Sequence, residues 1–497
     1  MNRLSIKEFV EKRIRPEQVH RYLDGGRDFI DDDAIRAALA RRDEPDRARL
    51  RDILDRSLAV ETLGIEETAA LLRARDPEAV AEMEDAAARV KRKVYDNRIV
   101  VFAPLYLGTR CVNDCLYCGF RRGNAAMKRG VLSRERLIRE VEELAGRIGH
   151  KRLIVVYGEH PETDTGYIAE TLETIYAVRA AAPGGGEGRI RRANVNAAPL
   201  PVEDLERLRE TGIGTYQVFQ ETYDREVYRR VHPAGTIKHD FAWRLTCMHR
   251  ALDAGVDDVG IGALFGLADW RFETLGLVAH ARELETRFGV GPHTISFPRL
   301  EPAQNSALPL SERKETADAD FRRLVTVLRL AVPHAGMILT AREPARIRRE
   351  LIPLGITQID AQSRIGLGAY SERPDVEEED RQQFHLNDGR TLEEVIRELA
   401  DAGIITSFCT AGYRCGRTGK RIMDLLRSGK EGRFCKLNAI LTFREWLLDF
   451  AGGETRRAGE ALIERETEEV RRRMPEYLGP LLEYDGRIRD GERDLYF

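Results

Sequence analysis

The chain has 497 residues, 42% of them hydrophobic, and a formal net charge of −3, ordinary for a globular protein and enough for a large barrel with one or two flanking units. Neither nucleic acid nor a membrane surface is implied by that balance, because the Arg residues alternate with Glu and Asp, as in Arg134-Glu135-Arg136, like solvated helix faces. No run reaches the roughly 18 apolar residues of a membrane span, and the residues after Met1 lack the apolar core of a signal peptide, so a cytoplasmic setting is expected.

Residues 1 to about 95 read as helical. Asp31-Asp32-Asp33 opens one helix with acidic residues, which suit a helix N-terminus. Others cover about 46–59 and 65–74, and Pro77 opens another running to about Tyr95. No chemistry is expected there. From residue 98 short apolar runs alternate with amphipathic helices. The strand candidates are Arg98–Leu105, Arg152–Tyr157, Ala193–Ala197, Thr215–Gln220, Asp258–Leu264, Thr294–Pro298, Gly336–Thr340 and Thr357–Ala361. Helices such as Arg134–Arg147, Ile168–Ala181 and Trp270–Phe288 separate them. Eight such strands predict a complete (β/α)8 barrel of the TIM type over residues 96–375. Near-continuous apolar strands fit a sheet buried on both faces. Residues 376–497 read as a mostly helical domain with a Gly- and Cys-punctuated segment at 407–420.

There are seven cysteines, at 111, 115, 118, 247, 409, 415 and 435. An odd number in a chain this large points to metal ligands or buried thiols, not disulfides. Cys111, Cys115 and Cys118 form CxxxCxxC directly after the first strand, with Tyr117 before the last cysteine. Three thiolates on one loop can hold three corners of a four-iron cluster and leave the fourth iron open to a ligand. Zinc is the alternative, but no second cysteine knuckle and no nearby His in sequence complete a zinc site. Cys247 reads as a buried thiol.

In such a barrel the functional residues gather where strands end and βα loops begin. Glu159 follows Gly158 past the second strand, where it can accept from a ligand ammonium. Asn194 and Asn196 alternate on the third strand, and buried amides need partners. Glu221 ends the fourth, and Arg244 on the next helix can meet a carboxylate in bidentate fashion. His293 stands at the start of the sixth strand. Arg342, Ser363 and Arg364 supply donors for a substrate carboxylate. These groups suit amino-acid-like ligands, and the amino-acid end of S-adenosylmethionine (SAM) can chelate an open iron.

CxxxCxxC with Tyr117, followed by Gly158-Glu159-His160-Pro161 and Asn194-Val195-Asn196, resembles the radical SAM superfamily. More narrowly, Gly214-Thr215-Tyr216-Gln217, Gln220-Glu221-Thr222-Tyr223, Val231-His232-Pro233, Gly291-Pro292-His293 and Ser407-Phe408-Cys409-Thr410-Ala411 resemble the tyrosine lyases of the HydG type, the FeFe-hydrogenase maturases, from about residue 30 to about 452. The thiamine-pathway tyrosine lyases (ThiH) share the barrel but lack the C-terminal extension. The resemblance implies a 4Fe-4S cluster, SAM and cleavage of the tyrosine Cα–Cβ bond to p-cresol and dehydroglycine (2-iminoacetate). In the maturases dehydroglycine is broken down to carbon monoxide and cyanide at a second, C-terminal cluster. It implies that Cys111, Cys115 and Cys118 hold the first cluster. Tyr117, Glu159, Asn196, Glu221 and Arg244 would bind SAM. Arg342, Ser363 and Arg364 would bind the tyrosine carboxylate, and His293 would lie near the second cluster. It also implies an electron donor such as ferredoxin or flavodoxin, and hydrogenase-maturation partners.

The second-cluster pattern is broken. The family motif is CxxC and a distant Cys; here Cys409 and Cys435 are kept, Gly412 stands at the middle position and a new Cys415 lies three residues on. Either Cys415 replaces the ligand, or the site is altered and dehydroglycine is released without carbon monoxide. Three residues shift a thiolate by several ångströms, whereas metal–ligand distances tolerate tenths, so an altered or lost cluster is favoured. Zinc at Cys409, Cys415 and Cys435 is a third option. Action on another aromatic amino acid, or a role as an iron–sulfur carrier without catalysis, are the remaining alternatives.

Overall fold

Alternation along Arg98–Gly108 sets the barrel. In the computed structural model, which describes residues 5–372, 379–428 and 430–497, this segment is an 11-residue strand, β1. Ile99, Val101, Ala103 and Leu105 join the main core shared with the surrounding helices. Phe102, on the opposite face, packs with Ile154 and Ile338, as the two-residue period of a strand requires.

Seven strands follow: β2 Arg152–Tyr157, β3 Arg192–Asn196, β4 Tyr216–Gln217, β5 Val259–Gly262, β6 Thr294–Ser296, β7 Gly336–Leu339 and β8 Gln358–Asp360. Each pairs in parallel with the next. β8 returns to β1 through Val100–Gln358, Val101–Ile359 and Phe102–Asp360. The result is the closed eight-stranded parallel barrel expected from the sequence. Of the run Thr215–Gln220 only Tyr216–Gln217 is regular strand, but Val218 N and Gln220 N still donate to the Gly260 and Gly262 carbonyls, and the chain bridges to Ala263 at Glu221, whose φ is +73°. The expected helix Ile168–Ala181 spans Thr165–Ala177; Ala180–Ala181 instead pairs with Glu187–Gly188.

The C-terminal part departs from expectation. Ile405–Ser407 is a ninth strand, β9, and it pairs in parallel with the N-terminal end of β1, Arg98 opposite Ile405. The boundary expected at 375/376 lies outside the described residues. The N-terminal helices are α1 Ile6–Arg13, α2 Pro16–His20, α3 Asp32–Ala40, α4 Arg47–Leu58, α5 Ile65–Arg73 and α6 Pro77–Tyr95. A capping box, in which Ser5 and Glu8 each accept from the other's backbone, starts α1. No helix among the described residues is long and apolar enough to cross a membrane.

A buried ion triad joins the C-terminal helix Glu431–Phe450 to the barrel. Glu445 accepts from Lys151 at 2.8 Å and from Arg191, all three being nearly solvent-free. Burial pushes the Glu445 carboxyl up, but Lys151 and Arg191 outweigh it and hold it well below the usual carboxylate range. Removing one member leaves buried charge without a partner, which costs about 3–5 kcal/mol. Glu445→Gln is expected to lose stability of that order in urea unfolding at pH 7. A change under 1 kcal/mol would contradict the assigned role.

Candidate active site

The end of β1 delivers Cys111, Cys115 and Cys118 to one wall of a cavity of about 250 Å³ at the C-terminal mouth of the barrel. Burial raises all three thiols, Cys115 to about 11, and each lies near enough to another to raise it further. The loop by itself therefore holds neutral thiols, and a bound metal is what would deprotonate them. Donors already face two of the sulfurs: Asn113 Nδ2 lies 3.7 Å from Cys111 Sγ, and Gln383 Nε2 lies 3.4 Å from Cys118 Sγ. No three His, Cys, Asp or Glu side chains among the described residues gather tightly enough to hold one metal ion. A four-iron cube instead takes its ligands on separate corners, so this donor set fits the cube better than zinc. The fold does bring a histidine beside the loop, His232. Its ring nitrogens already meet Tyr117 Oη at 2.9 Å and the Tyr228 carbonyl at 3.0 Å, so it is not a spare ligand.

The expected polar residues Tyr117, Glu159, Asn196, Glu221 and Arg244 all line the same cavity. Gly158 sets the position of Glu159, because a Cβ there would sit 2.3 Å from the Arg110 carbonyl oxygen. Glu159 Oε2 accepts from Asn113 Nδ2 at 2.6 Å, while buried Oε1 has no hydrogen-bond partner and lies 3.5 Å from Arg13 Nε. An ammonium would satisfy that oxygen. Arg13 belongs to α1, so the N-terminal helices, read from sequence as carrying no chemistry, reach the site. Glu221 Oε1 accepts from Lys238 Nζ at 2.7 Å and Arg244 Nη2 at 3.3 Å. Burial raises the Glu221 carboxyl, but Lys238 and Arg244 outweigh it and hold it down. Two cations share one carboxylate, leaving net positive charge suited to a ligand carboxylate. Sequence reasoning missed Lys238, Asn113 and Gln383; Asn113, inside the cysteine motif, carried a positional signal, and the other two carried none.

Arg342 lines the cavity and is partly buried, its guanidinium 3.4 Å from the Phe384 ring centroid. Burial lowers its pKa, and no carboxylate among the described residues lies within ion-pair distance. Beyond it the cavity is apolar, walled by Phe102, Ile154, Phe219, Ile338 and Leu386. Ser363 and Arg364 do not line the cavity, contrary to expectation. Ser363 Oγ donates to Asp360 Oδ2 at 2.7 Å, and the Arg364 N–H donates to Tyr370 Oη. Asp360 itself lines the cavity at the end of β8.

The remaining expected residues lie at the opposite end of the barrel. His293 precedes β6, with Nδ1 3.9 Å from Asp258 and Nε2 3.4 Å from Tyr413 Oη. Its place is the barrel bottom, not the mouth. Cys409 follows β9 with φ +46°, Cys435 lies on the helix Glu431–Phe450, and Cys415 Sγ is 3.5 Å from the Phe497 carbonyl oxygen. Tyr413 lies under the Arg192 guanidinium at 3.1 Å, its ring edge-on to His293 with centroids 6.1 Å apart. Cys247 is a buried thiol, as expected.

The radical SAM superfamily profile matches residues 105–275, and that of the biotin and thiamin synthesis associated domain matches residues 296–405. The 2-iminoacetate synthase of Salmonella typhimurium is 30% identical over 354 residues, covering 71% of this chain and 88% of that protein. The 2-iminoacetate synthase of Escherichia coli is 29% identical over 74% of this chain and 93% of its own length. A crystal structure of HydG, a maturase of the [FeFe]-hydrogenase, superposes with a TM-score of 0.88 at 42% identity, covering 94% of this chain and all of that one. HydG from Carboxydothermus hydrogenoformans superposes with a TM-score of 0.75 at 36% identity, covering 97% and 99%.

The left-handed backbone at Glu221 is held from behind by Glu273, which accepts from the Thr222 hydroxyl and from the Tyr223 N–H at 2.8 Å. Burial pushes the Glu273 carboxyl up to about 8, against the pull of those two donors. A carboxyl raised on folding takes up a proton, so its stabilisation is whole below its unfolded value and is lost as the pH climbs to its folded one. Glu273→Gln removes that uptake. Its urea midpoint is expected to gain on the wild type as the pH rises from roughly 5 to 8, and parallel pH profiles would contradict the assignment.

Proposed function

The chain belongs to the radical SAM superfamily, as a carbon–carbon lyase of the kind that includes the 2-iminoacetate synthases and HydG, and we propose that its substrate is L-tyrosine and its products p-cresol and dehydroglycine. The observation that carries the reading is the division of the cavity: Glu159 offers an ammonium site, Lys238 and Arg244 a carboxylate site, and Arg342 a second carboxylate site beside an apolar wall. Two amino-acid ends, those of SAM and of an aromatic substrate, fit that set.

The family implies a 4Fe-4S cluster and SAM. We assign Cys111, Cys115 and Cys118 to the cluster, and Tyr117, Glu159, Asn196, Glu221 and Arg244, with Lys238, to SAM. When bound, the two supply a one-electron cleavage that yields a 5′-deoxyadenosyl radical. The chain's residues do the rest by placement. Arg342 holds the substrate carboxylate, and the stacked Phe384 ring keeps its guanidinium in one plane. Phe102, Ile154 and Ile338 enclose the substrate ring and exclude water. Exclusion of water protects a radical from side reactions. The electron donor is taken to be a ferredoxin or flavodoxin.

For the C-terminal site, the reading favoured is loss of the diatomic chemistry. Gly412 replaces the family's cysteine, Cys415 is turned to the Phe497 carbonyl, and Tyr413 lies against His293. These features support release of dehydroglycine rather than its conversion to carbon monoxide and cyanide. A maturation role would then require another protein to make the diatomics.

Anaerobic, iron–sulfur-reconstituted protein given dithionite, SAM and tyrosine is expected to form 5′-deoxyadenosine and p-cresol without carbon monoxide. 5′-Deoxyadenosine without p-cresol would overturn tyrosine as the substrate, and carbon monoxide would overturn the altered second site. Truncating one partner of a desolvated charge pair costs about 2 kcal/mol or more, roughly 30-fold. Arg342→Met should therefore raise the KM for tyrosine by about that factor, while substrate-independent 5′-deoxyadenosine formation persists. An unchanged KM would remove Arg342 from the substrate site.

A further inference from the structure

One residue from far along the chain touches the cysteine loop and has no part in the reading above. Gln383 lies in the segment that leads from the barrel to the C-terminal helices, and this segment is stitched across the mouth. Gly119 N donates to the Gln383 carbonyl at 3.3 Å, Lys128 N donates to the Asp380 carbonyl at 2.9 Å, and Asn387 N donates to the Ala341 carbonyl at 2.8 Å. The approach to the loop is close: a Cβ on Gly119, the residue after Cys118, would lie 2.8 Å from the Gln383 carbonyl oxygen. Only glycine there lets the segment sit so near.

The Gln383 side chain is oriented by a second contact. Tyr106 Oη donates to Gln383 Oε1 at 2.9 Å. The amide nitrogen faces Cys118 Sγ, 3.4 Å away. The Tyr106 hydroxyl can serve either end of an amide, but a cluster-ligating Cys118 thiolate can only accept, so with Cys118 as ligand the nitrogen is the end that faces the sulfur and Oε1 the end that faces Tyr106. We propose that Gln383, held by Tyr106, is a positioning residue that donates an N–H···S hydrogen bond to the Cys118 thiolate and raises the reduction potential of the cluster. Hydrogen bonds to ligating sulfurs draw charge from them and stabilise the reduced, more negative cluster. A cluster that is easier to reduce accepts its electron from a milder donor. The inference rests on the assignment of Cys118 as a cluster ligand.

The test is the midpoint potential of the reconstituted cluster, followed by EPR in a redox titration without SAM or tyrosine. Gln383→Leu removes the donor and is expected to titrate at a more negative potential than wild type. Tyr106→Phe leaves the amide in place but unanchored, and is expected to shift in the same direction by less. Wild-type potential in Gln383→Leu, or in Tyr106→Phe should the first variant fail to load, would overturn the proposal. Failure of the other kind is distinct: if Cys118→Ser keeps the wild-type cluster spectrum, the ligand assignment falls, whatever Gln383 does.

Discussion

Everything in this molecule is referred to β1. Among the described residues it alone pairs with three strands, β2, β8 and β9, closing the barrel with one and accepting the C-terminal region with another. Its C-terminal end delivers the cysteine loop, and its N-terminal end lies beside the strand that leads to Cys409. At about 3.3 Å per residue, its 11 residues form a rod roughly 33 Å long, with the cysteine loop beyond one end and the strand that leads to Cys409 paired along its first three residues. Chemistry at the mouth and whatever occurs at the bottom are separated by the full thickness of a packed barrel, so a small molecule passing from one to the other must travel through or around it.

The mouth is organised by charge placement more than by shape. Asn113 is its hinge point: one amide accepts from the Lys238 backbone at 2.9 Å, donates to Glu159 and faces Cys111. A single neutral side chain thus links the residues assigned to the cluster to those assigned to both ends of SAM. Behind this layer, Glu273 supports the left-handed turn at Glu221. A strained non-glycine conformation costs on the order of 1–3 kcal/mol and persists where the surroundings hold it. Here two ion pairs in front and two hydrogen bonds behind do so.

The barrel was legible because β/α alternation writes two distinct periods into the chain, and β2 matches its apolar run residue for residue. The mouth residues from the cysteine loop to Glu221 were legible because strand ends fix their height, and Arg244 because its helix follows the fourth strand. Ser363 and Arg364 misled because a position one loop residue too far turns a side chain away, and nothing local marks which residue faces inward. β9 was illegible: three residues between a helix and a loop carry no periodicity, and its reason for being a strand is the exposed edge of β1's first residues. Arg13, Lys238 and Gln383 reach the site from segments whose local sequence says only helix or loop, because their role is set by tertiary packing.

The pairing of β1 with β9 also has a consequence in time. Arg98 emerges from the ribosome roughly 300 residues before its partner Ile405. At about 5–20 residues per second, the first strand of the barrel waits on the order of 15–60 s for its last neighbour. Until β2, β8 and β9 follow it, β1 is an apolar strand with unpaired edges, the kind of surface that pairs with other chains. The helices α1 to α6 precede β1 in the chain, so they are the part of the protein already made when that wait begins.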